Sequence, residues 1–343
     1  MHVSKKLVHV FLLATMAAAP VLAGEYHLGE GYTTGNLNIA GYINLVAEAP
    51  HGEKPQLVGD DISLFISGHF NQYFNPFFET EFSGATLWRR QEGLFPDNHP
   101  DLILERLYND FNLTEKFVLR FGKMLAPVGE WNNIHAAPLV STITRPLTTY
   151  RSFSEYVSGL KLIYTPSDEH LPEMRFYWQP DNELAPRPQS LVTREYRRIT
   201  GVHLNWISGL IDKVGFSFQH ATISNNIETQ TLLGLNAHKT LGQFQIETEA
   251  TYTHVNGDRL ARVRDDEWGT YLLGSYSIND KWSISARYEY FSDRNILQSS
   301  RNALLGLSWH ADPAIVWKLE YVKQAGAMLD ITTGVFASFS ILF

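Results

Sequence analysis

Apolar and polar side chains alternate with a period of two along almost the whole chain. From Gln243 to Tyr252 one face is Phe244, Ile246, Thr248, Ala250 and Tyr252, and the other is Gln243, Gln245, Glu247, Glu249 and Thr251. Trp282 to Tyr290 repeats this, with Trp282, Ile284, Ala286, Tyr288 and Tyr290 opposite Ser283, Ser285, Arg287 and Glu289. Successive side chains of a strand point to opposite faces, whereas a helix would scatter both sets around its circumference. Similar runs lie near 36–47, 61–70, 74–83, 101–111, 116–123, 156–165, 173–179, 197–207, 213–222, 229–238, 267–278, 301–310, 314–323 and 331–343. The total is about 16 segments of the ~10-residue length a tilted barrel strand needs. No repeat of fixed period accompanies them, which disfavours solenoids and propellers.

Residues 1–23 read as a secretory signal peptide: Lys5 and Lys6, an apolar stretch from Leu7 to Ala19, then Val21-Leu22-Ala23 before Gly24. After Ala23 no apolar run approaches the ~18–20 residues of a membrane-spanning helix. A mature chain in a membrane must therefore be a closed barrel, the other structure that pairs every backbone group in lipid. The expected fold is all-β, a transmembrane antiparallel β-barrel of about 16 strands, formed by residues 24–343 as one outer-membrane domain.

The connections alternate strictly between short and long. Asn279-Asp280, Ser208–Asp212, Lys239–Gly242, Ala311-Asp312-Pro313 and Leu113–Glu115 are short; those near 48–60, 84–100, 124–155, 180–196, 255–266, 292–300 and 324–330 are longer. One rim is then built from tight turns and the other from loops, as in barrels with short periplasmic turns and long external loops. Trp206, Trp282, Trp309 and Trp317 cluster near short turns, where an interfacial girdle would lie. A soluble β-sandwich would show the same alternation with its apolar face turned inward.

With the apolar face outward, the polar face lines a lumen: Glu79, Glu81, Glu105, Arg120, Lys161, Arg175, Glu247, Glu249, Arg287, Glu289, Lys318 and Glu320, seven acids against five bases. Adjacent Glu105 and Arg106 cannot both face water in a regular strand, so a bulge or a strand end is expected there. The longest connection, 124–155, is largely uncharged from Ile134 to Pro146, and a loop of this character is expected to fold into the barrel and narrow it. That places Lys123, Glu130, His135, Arg145, Arg151 and Glu155 at or near a constriction, where rings of charge set ion preference.

The last strand carries Val335, Ala337, Phe339, Ile341 and Phe343 on its apolar face, although Phe336 and Leu342 break the polar one. A terminal Phe closing such a strand resembles the signature by which the barrel-assembly machinery recognises bacterial outer-membrane proteins. The run Phe121-Gly122-Lys123-Met124-Leu125-Ala126-Pro127-Val128-Gly129-Glu130-Trp131-Asn132 resembles the strand-into-loop segment of phosphate-selective-porin-like outer-membrane proteins, and Pro76-Phe77-Phe78-Glu79-Thr80-Glu81-Phe82 is similar to their early-strand pattern. The resemblance implies a 16-stranded barrel, often trimeric, that passes small hydrophilic solutes by diffusion, with Lys123 in the pore region. The lumen's slight acid excess departs from the arginine and lysine ladders on which phosphate preference rests in that family.

Composition removes much other chemistry. No cysteine means no disulfide, thiolate metal site or lipoprotein anchor, and 36 acids against 28 bases argue against a nucleic-acid partner. There is no nucleophile elbow and no Walker loop. Gly29 to Gly35 misses the dinucleotide spacing and reads as a flexible lead. His69, His203, His220 and His254 fall in separate strands without metal-ligand spacing, so neither a metal nor a cofactor is expected. The charged loop Asp258–Glu267 reads as solvated, with divalent cations or lipopolysaccharide phosphates as the alternative ligands, and Arg194, Arg197 and Arg198 could attract anions to the mouth. Outer-membrane lipids and lipopolysaccharide are the expected surroundings. A diffusion porin without catalysis is the leading expectation, ahead of a substrate-specific uptake barrel for an organic anion or iron chelate. A TonB-dependent receptor would need about 22 strands and a plug. An outer-membrane hydrolase would need Ser and His on one face of adjacent strands near the upper rim, and Ser217 and His220 have opposite parity on one strand.

Overall fold

The alternating segments form one antiparallel sheet that closes on itself. The structure, a computed structural model, describes residues 24–343 apart from 97–99, 135, 189–190, 208, 225–226 and 259–261. The expected signal peptide at 1–23 lies outside the described residues. Two short strands, β1 (Glu25–His27) and β2 (Gly31–Thr34), precede the first stave, β3 (Leu37–Pro50). The next staves are β4 (Gln56–Gly68), β5 (Asn75–Arg89), β7 (Asp101–Asn112), β8 (Phe117–Leu125), β9 (Tyr156–Tyr164), β10 (Glu173–Trp178) and β11 (Tyr196–Trp206), with the two-residue β6 (Gly93–Leu94) folded back on β5. Then follow β12 (Lys213–Ile223), β13 (Thr229–Leu241), β14 (Phe244–Asn256), β15 (Asp266–Ser277), β16 (Trp282–Ser292), β17 (Ser300–Asp312), β18 (Ile315–Gly326) and β19 (Gly334–Leu342).

Each stave pairs with the next, and β19 pairs with β3, so sixteen strands close without an edge. Phe343 completes the seam: its N–H donates to the Gly41 carbonyl at 2.9 Å, and the Gly41 N–H returns a bond to Phe343 at 2.7 Å. The segment read as a flexible lead is instead the β1–β2 hairpin, with Tyr26 opposite Tyr32 and β2 laid on the start of β3 that β19 does not reach. Gly29 and Gly31 supply the left-handed backbone (φ +89° each) its turn needs.

The orientation of the two faces decides what kind of sheet this is. Leu272 and Leu305 point outward, 56% and 65% exposed, whereas Glu249 and Glu289 point inward and are buried. Apolar outside and polar inside is the arrangement that lipid demands, the inverse of a sandwich core. Phe244, Tyr276, Trp282, Trp309, Trp317 and Phe339 form an aromatic belt at the turn end, with Trp282 stacked on Trp309 at 5.9 Å and Trp317 tilted against Phe339 at 4.6 Å. Trp206 ends β11 at the same rim. At the loop end Trp268 stacks on Tyr290 at 4.4 Å. Trp268 and Tyr276 lie on one strand about 20 Å apart along the axis at a tilt near 40°, close to the ~25 Å apolar band of such barrels.

Loops 51–55, 90–100, 126–155, 179–195, 224–228, 257–265, 293–299 and 327–333 share one rim, and turns 69–74, 113–116, 165–172, 207–212, 242–243, 278–281 and 313–314 share the other. Sorting by rim is complete, while sorting by length is not: the turn 165–172 is longer than the loops 51–55 and 224–228.

Two local irregularities put charge inside. The register of β5 against β7 slips between Glu79 and Thr80, which bulges Glu105 and lets both Glu105 and Arg106 face the lumen. A second slip in β3–β4 at Asn44/Leu45 bulges Asp60, so that Asp60 and Asp61 both face inward. In β8, Phe121 is exposed and Lys123 is buried although both have one parity; between them Gly122 takes φ +132°. A Cβ at Gly122 would lie 2.1 Å from the Leu107 carbonyl oxygen. Gly122→Ala is expected to lose about 1–3 kcal/mol from backbone strain alone, read as a lower temperature for the folded-to-unfolded gel shift. Gly209→Ala, with nothing within 4 Å of its Cβ, should leave that temperature unchanged.

Candidate functional site

The barrel interior is occupied by its longest loop, residues 126–155, held by charged and apolar parts of the wall. Glu249 accepts the N–H groups of Glu130 and Trp131 at 2.9 and 2.7 Å. Glu320 accepts those of Ile143 and Thr144, and Glu289 that of Thr148 at 3.2 Å. Lys318 donates to the carbonyls of Ala137 and Val140 at 2.7 and 2.5 Å and Arg287 to that of Thr144 at 2.6 Å, while Lys161 donates at 2.8 Å to the Leu125 carbonyl at the end of β8, where the loop begins. A loop without its own ladder must find such partners for its backbone once water is excluded. Between these points Leu147 packs on Phe291, Leu304, Val322 and Phe336, while Trp131 packs on Tyr271 and Leu273. Phe336, which breaks the polar face of the last strand, therefore faces inward because the loop covers it.

Between the loop and the β3–β5 wall a cavity of about 240 Å³ remains. Asp60, Asp61 and Glu81 line it from the wall, Trp131 and Arg145 from the long loop, and Arg187 from the loop 179–195. A wider cavity of about 480 Å³ joins it on the loop side, sharing Asp60, Ile143, Arg145, Arg187 and Leu191 and reaching Glu48 and Asp330. These two cavities are where the sequence-expected constriction falls. Arg145 pairs with Glu155 at 2.5 Å and donates to Asn132 at 2.9 Å. Arg187 pairs with Glu105 at 2.8 Å and with Glu155 at 3.6 Å. Burial disfavours the Arg187 cation, but Glu155 and Glu105 outweigh it and hold the guanidinium above its ordinary range, so it stays charged. Five carboxylates (Asp60, Asp61, Glu81, Glu105 and Glu155) thus surround two guanidiniums. Asn44 donates to Asp60 at 3.1 Å and fixes the bulged side chain.

The residues expected at the constriction are dispersed over four environments. Arg145 and Glu155 line it. Glu130 pairs with Lys213 on the wall. Lys123 is buried against the loop 179–195, 2.8 Å from Glu183 and from the Ala185 carbonyl. Arg151 lies at the loop rim, 2.9 Å from Asp293 and 2.5 Å from Asp330. His135 lies outside the described residues. Of the expected lumen wall, Glu81 faces the cavity, Glu249, Arg287, Glu289, Lys318 and Glu320 hold the long loop, and Lys161 bonds the last carbonyl of β8. Glu79 pairs with Arg106, Arg120 with Asp110 at 2.7 Å, Arg175 with Glu173 at 2.5 Å, and Glu247 accepts the Tyr271 hydroxyl. Phe339 and Ile341 face outward beside the seam at Phe343. Sequence reading missed Asp60, Asp61 and Arg187. The adjacent acids in a strand were the available signal for the first two, as at Glu105-Arg106; nothing in the loop 179–195 marked Arg187.

Of the three rim arginines, Arg194 and Arg197 are engaged in ion pairs, and Arg198 is exposed. Arg194 pairs with Glu267 at 2.7 Å and Asp293 at 3.1 Å, and Arg197 with Asp181. Within the loop read as solvated, Arg262 pairs with Asp265 at 2.9 Å and with Glu228. Burial pushes the Asp293 carboxyl up, but Arg194, the Asn295 amide and Arg151 outweigh it and leave it below its ordinary value. The depressed value means its stabilisation of the Arg151 anchor is fully present above pH ~3.9 and is lost only as pH falls through the lower folded value. Proteolysis after Arg151 should therefore stay constant from pH 7 to 4.5, while Asp293→Asn, at a local cost on the order of 3 kcal/mol, should raise it at every pH in that range.

Among the described residues, one serine and one histidine meet. His203 Nδ1 lies 2.9 Å from Ser217 Oγ across β11 and β12. Both are buried inside the barrel, the Gly129 N–H donates to the same Oγ at 3.3 Å, and the charges acting on the ring are the cations Arg175, Lys213 and Lys161.

No protein-family model matches the chain, and no curated protein matches it in sequence. Solved structures do match in fold. OmpF of Salmonella typhi, in complex with daunomycin, aligns with a TM-score of 0.65 at 11% identity over 90% of this chain and 98% of that one. The anion-selective porin of Comamonas acidovorans gives 0.64 at 13% identity over 90% and 99%, and OmpT of Vibrio cholerae, an outer-membrane protein in trimer form, gives 0.62 at 12% over 90% and 99%. Together with the lipid-facing exterior, these likenesses identify the fold as a porin-like bacterial outer-membrane barrel.

Proposed function

We propose that the protein is a diffusion porin: a water-filled channel that passes small hydrophilic solutes passively and prefers cations. The observation that carries the reading is the constriction itself, where five carboxylates face two guanidiniums between a barrel wall and an inward loop. Charges gathered at the narrowest point set ion preference through the local field, and this set has an acid excess. Phosphate selectivity, the finer property of the family that residues 121–132 resemble, finds no support at a wall made of Asp60, Asp61 and Glu81. Catalysis is not part of the reading, because the His203–Ser217 pair is sealed under the long loop beside cations. The protein is placed in the bacterial outer membrane with its loops external, as a homotrimer, after export by the residue 1–23 signal and assembly through Phe339, Ile341 and Phe343.

Swelling of liposomes carrying the purified protein tests this. Arabinose-sized neutral sugars should enter, and a tetrasaccharide should be excluded by a cavity of about 240 Å³. Swelling rates no higher than those of protein-free liposomes for every sugar would reject the channel.

A further inference from the structure

Below the constriction, on the same wall, four aromatic rings run across adjacent staves. Tyr42 (β3) and Phe65 (β4) have ring centroids 5.8 Å apart, Phe65 and Phe77 (β5) 6.2 Å, and Phe77 and Tyr108 (β7) 5.0 Å with their planes 11° apart. Two guanidiniums lie over them: Arg106 is 4.5 Å from the Phe77 ring, and Arg120 is 3.7 Å from the Tyr108 ring. Each has a carboxylate partner, Glu79 for Arg106 and Asp110 for Arg120.

Inward apolar side chains elsewhere, such as Phe291, Leu304 and Phe336, are covered by the long loop. Tyr42 is buried at the end of the row, but Phe65, Phe77 and Tyr108 are only half-buried, and both arginines keep about a fifth of their side-chain surface open. Aromatic surface left facing water costs free energy that a flat solute recovers by stacking. A guanidinium laid on a ring adds a second flat surface with N–H donors at its edge. Because each cation is neutralised by its own carboxylate, the strip holds no net charge to select ions.

The geometry points to a stacking track for neutral planar solutes with amide or hydroxyl groups at the ring edge, taken up after they leave the constriction. The inference rests on the channel reading and names a substrate class for it. Ring stacking is the recognition element, and the arginine N–H groups fix the polar edge.

Benzamide and cyclohexanecarboxamide, equal in charge and amide but flat and puckered respectively, are the probes. Their equilibrium binding to the full-length protein in detergent is measured by saturation-transfer NMR, which does not depend on conduction. Benzamide should bind about three- to tenfold more tightly, and Phe77→Leu, which keeps the bulk and removes the ring, should abolish the difference. Tyr108→Leu should do the same, so that one poorly folding variant does not decide the outcome. Equal binding of the two amides to the wild type, or a difference that survives both substitutions, would overturn the track while leaving sugar permeation intact. Failure of permeation would instead reject the channel and leave the binding result standing.

Discussion

Neutralising the acid wall by Asp60→Asn, Asp61→Asn and Glu81→Gln together should abolish the cation preference. Two carboxylates, Glu105 and Glu155, then face Arg145 and Arg187, and the constriction is balanced. A unit charge about 5 Å from a passing ion is worth roughly 0.8 kcal/mol in bulk water and about 3 kcal/mol at an effective dielectric of 20. Removing three such charges should lower the potassium-to-chloride permeability ratio by at least tenfold, an amount equal to about 1.4 kcal/mol. Adding Glu155→Gln leaves the two arginines in excess and should reverse the preference. The reversal potential across a bilayer with a potassium chloride gradient reads this: it should fall to near zero in the triple variant and take the opposite sign to the wild type in the quadruple variant. An unchanged potential in the triple variant would mean that ions pass elsewhere. The effect should shrink in concentrated salt, where the Debye length falls to ~3 Å at 1 M.

The second large effect concerns the loop that makes the constriction. Glu249 and Glu320 each hold two consecutive backbone N–H groups of residues 126–155. Substituting both by Ala removes four acceptors at once, and each donor left without a partner in a dry site costs about 1–3 kcal/mol. The apolar contacts of Leu147 and Trp131 remain, so the loop should not leave the barrel but should sample detached positions. Single-channel conductance is expected to rise several-fold, with strong open-channel noise. Glu249→Gln with Glu320→Gln keeps carbonyl acceptors without charge and should give an intermediate noise level. Quiet wild-type conductance from the Ala variant would show that packing alone holds the loop.

The barrel was legible because its physical cause is local: lipid outside and water inside force alternation residue by residue, as in Phe244 to Tyr252. The inward loop was legible from the scarcity of charge between Ile134 and Pro146, which would be costly to leave in water. The constriction was not legible in the same way. Asp60 and Glu105 reach the lumen through register slips, and alternation assigns one residue of each adjacent pair to the wrong face. Arg187 arrives from a second loop, through pairing with Glu105 across 82 positions of sequence. Glu249, Glu289 and Glu320 did fall on the inner face, but parity does not distinguish a charge bathed in water from one that grips a loop. The inward positions of Phe291, Leu304 and Phe336 carried that information, since an apolar residue on the wet face needs a cover.

The central claim is an aqueous path through the barrel past Asp60, Asp61 and Glu81. Recording from the purified protein in a planar bilayer in potassium chloride tests it most directly. Stepwise, ohmic conductance increments with a cation-directed reversal potential are predicted; a barrel that inserts and folds yet carries no current would contradict the account.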